Sequence, residues 1–91
     1  MPVAVEHVDE AVRKILRRFC DTDFEDDDNV IRQLGLVSAD GIDVALDLED
    51  ELQIEIDRHE NPIVDDAHFR GRTVRELIEW ARGKVELRSV S

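Results

Sequence analysis

Ser38 stands at the head of a run of carboxylates, Asp40, Asp43, Asp47, Glu49, Asp50 and Glu51, with no lysine or arginine before Arg58. A serine hydroxyl in such a setting can be a nucleophile, a helix cap or an attachment point. A nucleophile needs a base within reach, and His7, His59 and His68 have no triad context. Zinc needs compact ligand spacing, which the histidines and carboxylates do not show. The segment from Asp21 to Asp28 looks like half of a calcium loop. Such a loop wants Gly at its sixth position and Glu at its twelfth, where this chain has Asp26 and Arg32. There is no Gly-rich phosphate loop. Autonomous catalysis is therefore not expected. As an N-cap, Ser38 would satisfy an orphan N–H of the first helical turn. A phosphodiester on its hydroxyl would lie in the favourable field of the helix dipole.

The element that must position this serine is an amphipathic helix ending near Glu51–Gln53. Helical spacing puts Ile42, Ala45, Leu46, Glu49 and Leu52 on one side, expected to face inward. Asp40, Asp43, Asp47 and Asp50 fall on the other, repelling each other by roughly 0.2–0.5 kcal/mol per neighbouring pair. With Glu51 they form a candidate docking face for basic partner proteins, which electrostatics would steer into place. Val44, at the edge of the acidic face, is the expected apolar contact of that patch.

From Ser38 to Ile56 the chain resembles acyl carrier proteins: a serine, an acidic amphipathic helix and an acidic end running into Leu52-Gln53-Ile54-Glu55-Ile56. Leu34-Gly35 also matches the family's approach to the serine. The resemblance implies an all-α, four-helix bundle (three long helices and one short) filling residues 1–91, with its core over about 5–86. It implies a 4′-phosphopantetheine arm on Ser38, attached from coenzyme A by a phosphopantetheinyl transferase. Acyl-loading and acyl-processing enzymes would then be partners. Where the family usually has Asp-Ser-Leu, this chain has Val37-Ser38-Ala39, which points to a specialised lipid or secondary-metabolite pathway rather than housekeeping fatty acid biosynthesis. The alternative is a carrier-like interaction module without the arm, in which Ser38 only caps the helix.

Composition agrees with a small helical domain: charged and helix-forming residues dominate, and tyrosine is absent. Ninety-one residues suffice for one core and not for a deep, lidded active site. The net charge of −11 is concentrated in residues 21–66, which hold seventeen acidic and two basic residues. That distribution argues against nucleic-acid binding, which needs a cationic footprint. The single cysteine, Cys20, excludes an internal disulfide and reads as a buried or half-buried structural thiol. No signal-peptide pattern or membrane-spanning run is present, so a cytoplasmic monomer is expected.

The remaining elements follow from period and punctuation. A first helix over about 5–19 has Val5, Val8, Val12, Ile15, Leu16 and Phe19 inward, with acids early and bases late. Residues 20–37 form a long connection, with a helical turn around Asp28–Leu34. Asn61-Pro62 marks an extended turn within a 57–62 insertion relative to the family pattern. A short third helix is expected over about 64–69, with Val64, Ala67 and Phe69 bordering a cleft for an acyl chain. Thr73 and Glu76 form a capping box for a last helix over about 74–86. Its inward residues are Val74, Leu77, Ile78, Ala81 and Val85, with Trp80 at the edge and a fraying tail after Leu87.

Overall fold

A computed structural model describes residues 7–21, 23–57, 59–65 and 70–90, with side chains through residue 87. In chain order, the elements are α1 (His7–Leu16), α2 (Asp40–Leu52), β1 (Val64–Asp65), β2 (Arg70–Gly71) and α3 (Val74–Val90). α1 packs against both α2 and α3. The expected all-α four-helix bundle is therefore not the fold: among the described residues there are three helices, with a small antiparallel hairpin between α2 and α3. A description of the protein as a four-helix acyl carrier protein loses its structural support at this point.

The element that departs is the short third helix. Val64 and Asp65 are extended instead and pair with Gly71 and Arg70. Ala67 and Phe69, expected with Val64 at the border of a cleft, lie outside the described residues. The hairpin is held by partners distant in sequence. Val30 N–H donates to Arg72 O at 2.9 Å, and Asn29 Nδ2 to Gly71 O at 2.7 Å. Arg72 N–H donates to Ile63 O at 2.8 Å. A Cβ on Gly71 would come within 2.5 Å of Asn29 Oδ1, so this strand needs a residue without a side chain there.

The helical turn expected in the long connection is present. Asn29 Oδ1 accepts from Ile31 and Arg32 N–H, and Gln33 N–H donates to Asn29 O. Val30 and Leu36 are buried, while Phe24, Ile31 and Leu34 pack half-buried against the core. The acidic stretch before this turn is engaged by arginines: Arg13, which also bonds Asp9 within α1, bonds Asp26, and Arg75 pairs with Asp27.

α1 buries Val8, Ala11, Val12, Ile15 and Leu16, with Phe19 half-buried beyond its end; Val5 lies outside the described residues. α3 buries Val74, Leu77, Ile78, Ala81 and Val85, the expected stripe. Its capping box closes in both directions: Glu76 N–H donates to Thr73 Oγ1 at 3.1 Å and Thr73 N–H to Glu76 Oε1 at 2.9 Å. The helix continues to Val90, beyond the expected end.

α2 forms where expected but is rotated about its axis relative to the sequence reading. Its buried residues are Gly41, Val44, Leu48 and Leu52, and Ile42 and Leu46 are 67% and 59% exposed. The helix has two apolar sectors, and Val44-Leu48-Leu52 faces the core. Only Leu52 of the expected inward set is fully buried.

Candidate functional site

The site is the start of α2 and the groove beside it. Ala39 already has helical angles (φ −63, ψ −29), and no side-chain hydrogen bond caps it. The turn begins earlier, through Asp40 N–H to Val37 O at 2.8 Å, Gly41 N–H to Ser38 O at 3.1 Å and Ile42 N–H to Ala39 O at 3.2 Å. Val37 N–H donates to Asp40 Oδ2 at 2.9 Å. Asp40 thus performs the reach-back half of a capping box, with Val37 where a Ser or Thr would usually stand. Ser38 is not the N-cap; it lies one residue further on, within the first turn, and is exposed.

Two glycines bracket this turn. Gly35 takes a left-handed φ of 83, which favours glycine. At Gly41 the constraint is space. A Cβ there would fall 1.9 Å from Asn61 Oδ1, so the helix start lies directly against the Asn61 amide.

Along α2, Ile42, Ala45, Leu46 and Glu49 form one wall of an open groove of about 360 Å³, and Ile56, Asp57, His59, Glu60 and Asn61 form the other. Its lining combines the apolar side chains of Ile42, Ala45, Leu46 and Ile56 with the carboxylates of Glu49, Asp57 and Glu60. Glu49 Oε2 accepts from Ile56 N–H at 3.1 Å and ties the two walls together.

The predicted docking residues separate into groups. Asp43 and Asp50 are exposed on α2. Asp47 pairs with Arg18 at 3.1 Å, and Glu51 pairs with Lys14 at 2.9 Å and Arg18 at 3.7 Å. The hydrogen bond from Lys14, and then the charge of Arg18, hold the Glu51 carboxyl below its ordinary range. The acidic face is therefore partly offset by Lys14 of α1 and by Arg18 just beyond its end, two of the late bases of the first helix. Val44 requires a correction: it is 0% exposed, in the core, and cannot meet a partner. The exposed apolar side chains of this region are Ile42, Leu46 and Val37.

Sequence reasoning missed the role of Asn61. Its only signals were the Asn-Pro turn and a glycine at an awkward helical position. His7 and His59 are exposed, and His68 lies outside the described residues. Among the described residues, no group of His, Cys, Asp and Glu is placed to hold a metal ion, and no helix is long and apolar enough to cross a membrane. No protein-family model, curated protein or solved structure matches this chain.

Proposed function

We propose that this protein is a carrier: Ser38 bears a 4′-phosphopantetheine arm, and the domain shuttles thioester-bound acyl groups between partner enzymes. The observation that carries this reading is the state of Ser38. It is exposed, and the N–H groups that a Ser38 cap would satisfy, those of Asp40 and Gly41, donate instead to the carbonyls of Val37 and Ser38. A serine that does not cap its helix is open to modification.

The residues around it fit such a group. The serine lies in the first turn of α2, where the dipole favours a phosphodiester. An apolar groove runs from the same turn. When bound, the arm supplies a thiol that holds cargo as a thioester. The chain itself anchors and orients. Ser38 Oγ attacks a phosphorus of the coenzyme A pyrophosphate, its proton passes to a base of the transferase, and adenosine 3′,5′-bisphosphate leaves. Ile42 and Leu46 provide the apolar contact of the docking face, and Asp43 and Asp50 its charge. Basic transferase, loading and processing enzymes are the partners, in a specialised lipid or secondary-metabolite pathway. Modest affinity suits a shuttle that must leave each partner.

Incubation with coenzyme A and a broad-specificity phosphopantetheinyl transferase, followed by intact mass measurement, tests the proposal. The expected result is addition of one arm, lost in Ser38→Ala. An unchanged mass with a panel of transferases, including those of the source organism, would favour the armless interaction module.

A further inference from the structure

We infer that Asn61 is a positioning residue for the chemistry at Ser38, holding the peptide that carries the hydroxyl. The inference rests on the proposed modification of Ser38. Asn61 Nδ2 donates to Ser38 O at 3.0 Å, and Asn61 Oδ1 accepts from Ile63 N–H at 3.1 Å. Both ends of the amide are thus used, one on the serine turn and one on the hairpin approach. The other hydrogen bonds of the serine turn are local: the i to i+3 bonds and the Asp40 reach-back. Asn61 joins that turn to a different part of the fold.

Asn61 is itself firmly held. Arg72 Nη1 donates to Asn61 O at 3.1 Å and to Pro62 O at 2.9 Å. The Arg72 guanidinium stacks over Trp80 of α3, 5.1 Å from the ring centre. Next to Asn61, Glu60 accepts from Lys84 Nζ at 2.8 Å, and Lys84 also lies over Trp80. The connection between α2 and the hairpin is therefore a strut. It runs from α3 through Arg72 and Glu60 to Asn61 and ends on the carbonyl of Ser38. Gly41 is the counterpart on α2, since any side chain there would displace the amide.

Transfer to a serine requires the hydroxyl to meet a phosphorus held by another protein, and small errors of placement are costly in rate. Docking draws on different side chains, those of Ile42, Leu46 and Asp43. Removing Asn61 should therefore affect turnover rather than recognition. The test compares wild type with Asn61→Ala and Asn61→Asp in coenzyme A-dependent arm transfer. Initial rates are taken at varied carrier concentration, at a temperature where circular dichroism shows each variant folded. Asn61→Asp keeps the acceptor for Ile63 and sets a charged acceptor in place of the donor to Ser38 O, so it breaks the same bond and serves if Asn61→Ala does not fold. The expected result is a fall in kcat of about tenfold or more with KM within about twofold. Wild-type kcat in a folded variant would overturn the inference and leave the carrier reading intact. So would a loss shared equally by kcat and KM, the mark of a merely structural residue. A wild-type protein that accepts no arm would end both.

Discussion

Gly41 and Asn61 explain each other, because the glycine leaves the space that the amide fills. A glycine in a helical first turn costs about 1 kcal/mol relative to alanine, but here a Cβ would lie 1.9 Å from the Asn61 amide. Gly41→Ala should therefore destabilise by about 1–3 kcal/mol despite its better helix propensity. In the double variant with Asn61→Ala, part of that loss should return, as expected for residues in direct contact. Urea unfolding of the four proteins measures this, and strictly additive losses would contradict the close approach. Ser38 makes a related point. Its type and place made a cap the obvious reading, yet the Asp40 and Gly41 N–H groups it would take donate to the Val37 and Ser38 carbonyls, and Asp40 reaches back to Val37 N–H. Composition alone does not show whether a side chain or a backbone carbonyl will take the first N–H groups of a helix.

At the level of elements, legibility followed the clarity of the pattern. α3 has one apolar stripe and a reciprocal cap, so its start and its buried face were both readable from the sequence. α2 has two apolar sectors of similar strength, and the choice between them is made by contacts with α1, which no local period encodes. The consequence can be measured: Leu48→Ala should cost about 2–5 kcal/mol and Leu46→Ala less than about 0.5 kcal/mol. Comparable losses would mean that the helix has been placed with the wrong face inward. The hairpin was not legible because strands of two residues have no period, and Asn29 and Val30 hold the β2 end from across the chain. The α3 cap carries a pH dependence. Arg70 first, then the Thr73 N–H, lower the Glu76 carboxyl from 4.5 to about 2. The folded state thus holds this proton less tightly than the unfolded chain does. The contribution is full above about pH 4.5 and is lost as pH falls toward 2. Glu76→Gln should flatten that part of the acid unfolding curve, and Thr73→Ala should cost about 1 kcal/mol at neutral pH. An acid profile identical to wild type in Glu76→Gln would remove the carboxylate from the account.

Across the whole molecule, charge is divided by sign and by use. Lys14 of α1 and Arg18 just past its end pair with Asp47 and Glu51 of α2, pairs worth about 0–1 kcal/mol at an exposed surface. Asp43 and Asp50 remain directed to solvent. Asp43→Lys should then slow association with a basic partner, more so at low salt, while leaving the unfolding midpoint unchanged. Asp47→Lys should do both kinds of damage, since it also sets a lysine against Arg18. Stopped-flow association at two ionic strengths, paired with thermal melts, separates the two, and equal behaviour would dissolve the distinction.

Trp80 is the sole tryptophan, and tyrosine is absent. The cations of Arg72 and Lys84 lie 5.1 and 5.2 Å from its ring centre, and these are the side chains that grip Asn61 and Glu60. The protein thus contains its own optical gauge. Any event that loosens the grip on the serine, whether arm attachment, cargo loading or partner capture, should alter the indole emission without an added dye.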